Sequence, residues 1–221
     1  NNMKKKLTFL TALVIAAMAS FSCANNQPKQ EPVRGANYAR APRFKLLVFY
    51  SDYVELAHKQ FSHQGIDFYK SLTVGEGFIV DTTTSLAKFS YEELAEYNAI
   101  IALNASPGRN ERELFQKYME NGGGWIGYHA SAYNDARTEW PWLNEFLGCG
   151  VFKCNNWPPQ PALLELDIQD HPVTRNLPKE FVAPASEWYQ WATDVRNTPD
   201  VEVLVSLSPK NYPIGLKDIV Y

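Results

Sequence analysis

The chain has 221 residues, of which 20% are charged, and its formal net charge is −3. This mildly acidic balance argues against nucleic acid or an anionic lipid surface as a partner, because both bind basic proteins. The roughly 178 residues from Phe44 onward are enough for one domain with a substantial hydrophobic core.

The N-terminal segment has the pattern of a secretory signal peptide. In residues 3–23, MKKKLTFLTALVIAAMASFSC, three lysines precede an apolar run that ends in small residues and Cys23. This run is shorter than the ~20 residues that a membrane-spanning helix needs. Its ending, SFSC, resembles the bacterial lipoprotein processing site, so we expect Cys23 to carry a lipid that anchors an exported protein on the periplasmic side of the membrane. A soluble secreted protein cleaved nearby is the alternative.

The next segment, ANNQPKQEPVRGANYARAPR, is polar and contains prolines, which predicts a flexible tether between lipid and domain. Loss of the signal peptide removes three lysines and no acidic residue, so the formal charge moves from −3 to −6. The predicted organisation is a signal peptide over residues 1–23, a tether over 24–43 and one domain over 44–221.

The first half of the domain alternates strand-like and helix-like segments. Residues 65–72 have helical spacing, and Ser90 and Glu93 form a capping-box pattern. Residues 110–121 predict a helix that ends at Gly122. The apolar runs of strand length are FKLLVFY (44–50), GFIVDTT (77–83), NAIIALN (98–104) and GWIGYH (124–129). The alternation predicts an open, mostly parallel α/β sheet of the flavodoxin-like type with helices on both faces.

The second half of the domain has a different character. EWPWLNEFLG (139–148) predicts a short helix, whereas PALLELDI (161–168) and VEVLVSL (201–207) predict strands. Residues 170–191, between these two strands, are rich in proline and aromatic residues.

Polar side chains follow three of the predicted strands. His63 follows the first strand and His129 ends the fourth, while Asn104 and Ser106 follow the third. Ligands bind beyond the carboxyl ends of the strands in open α/β sheets, so one crevice is expected to collect all four residues. We predict in particular that the side chains of His63 and His129 lie within about 10 Å of each other.

His129 lies in GGGWIGYHASAYND, residues 122–135, where a strand passes into a bend of small residues. Several α/β enzyme folds hold a nucleophilic Ser or Cys at such a bend. An imidazole does not carry out their acyl chemistry, but it can transfer protons or ligate a metal. A hydrogen-bonded core histidine is the alternative interpretation. Of the other histidines, we expect His58 to be exposed and His171, in an Asp-His-Pro turn, to be structural.

Glu187 lies in an aromatic stretch, where burial of an unpaired carboxylate would be costly. We expect it either to face solvent or to meet an imidazole or a sugar hydroxyl. Large aromatic rings in this part of the chain can stack on a sugar or fill the core, and we assign at least half of them to the core. They are Trp140, Trp142, Trp157, Trp188, Tyr189 and Trp191.

Cys149 and Cys154 are the two cysteines that remain in the domain. Export would place them in an oxidising compartment, and their separation allows a small disulfide-closed loop. Two buried free thiols and a metal-binding pair are the alternatives.

Four spaced motifs follow one another along the domain: YMENGGGWIGYHASAYN, WPWLNEFLG, QPALLELDIQDHPVTRNLP and SEWYQW. Together they resemble the ThuA-like family, which is named for trehalose utilisation. The resemblance implies a class I glutamine amidotransferase-like fold and a role in carbohydrate metabolism, near oxidised sugars such as 3-keto-glycosides. It identifies His63, Glu187, Trp188 and Tyr189 as family motif residues. His129 takes the position of the amidotransferase cysteine, so we expect no glutaminase activity.

The chain also departs from the family pattern. Ser186 stands where relatives have Asp, and Asn155, Asn156 and Trp157 stand where relatives tend to have His-Pro. The sequence stops at GLKDIVY, before the final strands that the family usually has, and we expect the domain to be incomplete there.

Two classes of function remain from the sequence. The first is an enzyme that acts on a small carbohydrate by acid–base chemistry, with a divalent metal between His63 and His129 left open. The second is a lipid-anchored, non-catalytic sugar-binding protein. The candidate catalytic residues are His129, His63 and Glu187, and the candidate substrate-binding residues are Asn104, Ser106, Trp157, Trp188 and Tyr189.

Overall fold

Residues 43–73, 77–135 and 137–210 are described by a computed structural model of the chain. The predicted signal peptide with Cys23 lies outside these ranges, as do most of the tether and the segment after residue 210. Within the described ranges, none of the helices has the length and apolar character needed to cross a membrane.

Four parallel strands form the central sheet, in the order β2-β1-β3-β4. Their bounds are β1 Lys45–Tyr50, β2 Ile79–Thr83, β3 Ala99–Leu103 and β4 Gly124–Tyr128. The central strands β1 and β3 are buried on both faces, which explains why their sequences are continuous apolar runs. Tyr50 is level with Leu103, and Leu103 with Tyr128, so β1, β3 and β4 end together at one edge. The predicted parallel sheet is confirmed.

Helices cover both faces of this sheet. Leu47 and Ile100 face one side, where they pack with residues of α2 (Tyr91–Leu94) and α3 (Arg112–Glu120). Val48 and Ile101 face the other side, where they pack with Ile66 of α1 (Leu56–Ser71). Side chains of a strand alternate between its faces, so consecutive apolar residues serve two cores. A fourth helix, α4 (Pro141–Leu147), joins the first of these cores.

The local helix signals are confirmed in detail. Ser90 and Glu93 make both hydrogen bonds of a capping box at the start of α2. Gly122 follows the end of α3 with a φ of 90°, a left-handed conformation that glycine adopts without steric cost.

The prediction for the first helix was wrong at its start. The helix begins at Leu56, although regular spacing is visible in the sequence only from residue 65. Only Ser62 and Ile66 are buried along α1, so its first two turns carry no apolar stripe. Glu55 makes no side-chain capping bond that would have marked the start. His63 therefore lies in the middle of α1.

Close packing holds α1 against the end of β3. A Cβ atom on Gly65 would lie 2.8 Å from a methyl group of Leu103, so a larger residue would force a shift at this close approach. The buried hydroxyl of Ser62 donates a hydrogen bond to the Leu103 carbonyl at 3.1 Å. These contacts hold the middle of α1 against the carboxyl end of β3.

The second half of the domain consists of short antiparallel strands. In one sheet β5 (Phe152–Asn155) pairs with β8 (Tyr189–Trp191); in another, β6 (Gln160–Leu166) lies between β7 (Glu180–Ser186) and β9 (Val205–Leu207). The prediction of β6 is confirmed, whereas β9 is shorter than expected. β7 was missed because it contains Pro184, which a strand tolerates at the edge of a sheet, where β7 lies.

Cys149 and Cys154 are buried, and the structure shows no disulfide between them. It therefore agrees with buried thiols, the second of the three alternatives for this pair. The Cys154 thiol lies 3.1 Å from the side-chain oxygen of Gln190 across the β5–β8 pair.

Candidate functional site

A cavity of about 390 Å³ opens at the carboxyl edge of the central sheet. This volume lies within the range of small-molecule sites in proteins. Both halves of the domain contribute to its wall, which includes His58, Phe61, Asn104, His129, Trp157 and Glu187.

His129 enters the cavity from a strained bend. It directly follows β4 and has a φ of 49°, a region that residues other than glycine rarely occupy. The bend is tied to β3 through Ser131, whose buried hydroxyl donates to the Ala102 carbonyl at 2.9 Å and accepts from the Ala105 amide at 3.1 Å. Surrounding contacts therefore impose the conformation that presents the imidazole.

Two side chains from the second half meet the same nitrogen of His129. The Nε2 atom lies 3.4 Å from Oε2 of Glu187 and 3.5 Å from the hydroxyl of Tyr189. Both distances are long for hydrogen bonds. Contacts of this kind in an empty site commonly shorten when the substrate binds. Of the two outcomes expected for Glu187, the structure shows the one in which it meets an imidazole.

Burial shifts both members of this pair toward their uncharged forms. It lowers the pKa of His129, and the nearby charge of His58 lowers it further. Burial raises the pKa of Glu187, with a smaller rise from Glu55 and an opposing contribution from His58. Both contributions to the His129 pKa favour its neutral imidazole, which is the form that accepts a proton.

Asn104 lines the cavity and is tied to α1. The residue is 6% exposed, and its amide nitrogen donates to the backbone carbonyl of His58 at 3.3 Å. Its Oδ1 atom is buried and has no hydrogen-bond partner among the described residues. A buried acceptor without a partner costs about 1–3 kcal/mol.

His63 does not line the cavity. Its Nε2 atom lies 2.8 Å from Oδ1 of Asp52, which Lys59 also contacts at 3.2 Å, and its ring packs edge-on against Tyr50. The cavity instead contains His58, which we had expected to be exposed. The two histidines are five positions apart on the helix, so they point about 140° apart around α1. The earlier start of α1 is what brings His58 to the edge of the sheet.

The remaining predicted residues divide between the cavity and its support. Trp157 is 55% exposed and lines the wall, whereas Ser106 is exposed and lies outside it. The Trp188 indole donates to the Gln160 carbonyl at 2.7 Å and is not part of the wall. His171 accepts a hydrogen bond from the Val173 amide at 3.1 Å, as a turn residue does.

Residues 45–219 match the family described as ThuA, trehalose utilisation. The chain belongs to this family. A ThuA-like protein from Bacteroides uniformis is 61% identical and superposes with a TM-score of 0.77, over 84% of this chain and 76% of its own. No protein among the curated sequences matches.

Two more distant structures are similar over 67% of this ThuA-family chain. One is a ThuA-like protein from Parabacteroides merdae, with 18% identity and a TM-score of 0.49 over 62% of its own length. The other is a glutamine amidotransferase from Thermotoga maritima, with 13% identity and a TM-score of 0.42 over 63% of its length. Likenesses this distant carry no inference about activity.

Asn156 holds in place the residues that the second half of the domain contributes to the site. From the sequence we expected this position only to lack the histidine that relatives tend to have. Asn156 is fully buried, and its amide nitrogen donates to the carbonyls of Pro158 at 3.0 Å and Ser186 at 3.2 Å. Its side-chain oxygen accepts from the Trp188 amide at 2.5 Å. These bonds bracket Glu187. Nothing in the sequence pattern indicated this role, because the bonded partners are up to 32 residues away.

The residues present do not fit a metal between His63 and His129. His63 is engaged with Asp52 and is absent from the cavity wall. Across the three described ranges, no group of three or more His, Cys, Asp or Glu side chains is placed to hold a metal ion.

Proposed function

We propose that this ThuA-family protein binds a small carbohydrate in the cavity and transfers a proton from it with His129 and Glu187. The observation that carries this proposal is the position of the His129 Nε2 atom, 3.4 Å from the Glu187 carboxylate in the cavity wall. A neutral imidazole accepts a proton, and a neighbouring carboxylate stabilises the imidazolium that forms.

The cavity wall supports an uncharged sugar as the ligand. The half-exposed Trp157 ring offers a flat apolar surface for stacking, and Asn104 adds a polar, uncharged side chain to the lining. The described wall contains the carboxylates of Glu55 and Glu187 but neither Lys nor Arg. A phosphorylated or acidic sugar would meet these carboxylates without a Lys or Arg side chain to offset their charge.

An oxidised sugar suits the proton chemistry best. The hydrogen on the carbon next to a ketone is acidic enough for an imidazole to remove, which gives an enol or enolate of the sugar. A 3-keto-glycoside, the substrate type implied by the family resemblance, has such a hydrogen. Glutamine hydrolysis is not expected, because His129 does not supply the thiolate nucleophile of that reaction.

The test compares the wild-type protein with His129→Ala and Glu187→Gln on a panel of 3-keto-glycosides and their parent sugars. Loss of a general acid or base lowers turnover by about 10²- to 10⁴-fold, and we expect a loss in that range for His129→Ala. His171→Ala serves as the control, because this histidine lies in a turn away from the cavity.

Equal turnover by wild type and His129→Ala would contradict the assignment of His129. Calorimetry on the same sugars separates the alternative function. Sugar binding without turnover in the wild type would identify a non-catalytic sugar-binding protein instead.

We also propose that the mature protein is exported and anchored through a lipid on Cys23. The supporting features are the lysines, the apolar run and the SFSC ending of residues 3–23. Cys23→Ala should shift the protein from the membrane fraction to the soluble fraction. A wild-type protein that is soluble and carries an unmodified Cys23 would contradict the anchor.

A further inference from the structure

We infer that His58 is a second catalytic residue for proton transfer, which donates a proton to the sugar oxygen beside His129. The inference rests on the proposed function and deepens it. It begins from the geometry of the cavity wall, where the rings of His58 and His129 have centroids 5.0 Å apart. One substrate carbon–oxygen unit placed in this cavity can therefore contact both imidazoles.

The backbone of His58 is fixed, whereas its ring is available. Its carbonyl accepts a hydrogen bond from the Asn104 amide at 3.3 Å and lies 2.9 Å from the Ser62 hydroxyl. Among the described residues, no hydrogen bond engages its imidazole nitrogens. His63 is the opposite case on the same helix, because its imidazole is already paired with Asp52 at 2.8 Å.

The proposed step balances with these two imidazoles. Neutral His129 takes the proton from the carbon next to the sugar ketone, and the electron pair of that C–H bond forms the carbon–carbon double bond of an enol. The ketone oxygen takes a proton from the imidazolium form of His58. His129 becomes an imidazolium opposite Glu187, and His58 becomes a neutral imidazole. An acid that protonates the oxygen as the carbon loses its proton avoids a free enolate.

Two further observations support a direct coupling between these residues. Charge on His58 contributes to the lowered pKa of His129 and opposes the raised pKa of Glu187. The other titratable groups at this place are Glu55, which precedes α1, and Tyr189, which faces His129 from β8. Glu55 raises the pKa of the Glu187 carboxyl.

The experiment compares His58→Gln and His58→Asn with His63→Gln, a change of the same kind on the same helix outside the cavity wall. On a keto-glycoside that the wild type converts, we expect both His58 variants to lose about 10²-fold or more in kcat. Their pH–rate profile should also differ from that of the wild type, because the proposed proton donor is missing. His63→Gln should keep the wild-type rate and pH–rate profile.

Nuclear magnetic resonance titration of His129 provides a readout that does not depend on turnover. Removal of the His58 charge should raise the pKa of His129 in both His58 variants and leave it unchanged in His63→Gln. A wild-type rate and pH profile in the folded His58 variants would overturn the inference, as would an unchanged His129 pKa. Failure of the proposed function is a different result, in which the wild type converts none of the sugars.

Discussion

The two halves of the domain position their functional side chains by different means. The parallel half uses repetitive backbone geometry: aligned strand ends bring Asn104 and His129 to one edge of the sheet. The antiparallel half has short strands with irregular register, and it positions Glu187 through side-chain bonds centred on Asn156. The cavity wall from the parallel half is therefore supported by the repeated backbone contacts of a sheet. The wall from the antiparallel half depends on a few side-chain hydrogen bonds.

The largest effect on stability is expected in the parallel half. Leu47 lies on β1, the strand between β2 and β3, and its side chain is completely buried. Leu47→Ala should therefore lower the free energy of unfolding by about 2–5 kcal/mol. Urea denaturation measures this change. Val182→Ala, at a position 68% exposed on β7, is the control and should change stability by about 0.5 kcal/mol or less. Similar values for the two variants would show that the parallel sheet is not the stable frame of the domain.

Asn156→Ala tests the dependence of the second wall on a single side chain. Removal of the amide leaves the Ser186 and Pro158 carbonyls and the Trp188 amide without their partner, which should lower the free energy of unfolding by about 1–3 kcal/mol. We also expect kcat to fall because Glu187 loses its position beside His129. Asn176→Ala, at an exposed asparagine, should change neither quantity.

If Asn156→Ala lowers stability but leaves kcat and the pKa of His129 at their wild-type values, Glu187 is held by other contacts. The contrast between the two walls would then be smaller than the hydrogen bonds indicate.

A capping variant probes the parallel half with a smaller change. Ser90 accepts from the Glu93 amide and completes the capping box of α2, so Ser90→Ala should cost about 1 kcal/mol. Ser106→Ala, at an exposed serine, is the matched control. The expected loss is in thermal stability only, because α2 contributes no residue to the cavity wall. If Ser90→Ala lowers sugar turnover under conditions in which the protein is fully folded, the cap affects activity as well as stability and this expectation is contradicted.

The pH dependence of stability should distinguish His129 from Glu187, which meet where the two walls of the cavity join. The pKa of His129 is lowered in the folded protein, so its contribution to stability is present above pH 6.5 and is lost as pH falls through the lowered pKa. The pKa of Glu187 is raised, so its contribution is present below pH 4.5 and is lost as pH rises through the raised pKa.

Unfolding free energies measured from pH 4 to pH 8 for wild type, His129→Gln and Glu187→Gln would separate these opposite slopes. His129→Gln should remove the decline below pH 6.5, while Glu187→Gln should remove the decline above pH 4.5. Identical profiles for wild type and both variants would show that neither group is buried as described. Each effect on the unfolding free energy is small, because about a quarter of each side chain is exposed to solvent.

Several features could be predicted from local sequence patterns. The apolar runs identified all four parallel strands, and the Ser90–Glu93 spacing identified the start of α2. The strand-to-bend transition at His129 was visible from its small neighbours. These features depend on interactions within a few residues of each other, and the alternation of strands and helices restricts the sheet to few topologies.

The tertiary structure decided which polar groups meet. Hydrophobic periodicity records which face of an element is buried, and it carries no information on which side chains come together from distant elements. His58, and not His63, lines the cavity because of where α1 begins and how closely Gly65 lets the helix approach β3. The pairing of His129 with Glu187 spans 58 residues and forms only when both halves have folded, so the sequence alone supplied the candidates and the packing of the two halves selected among them.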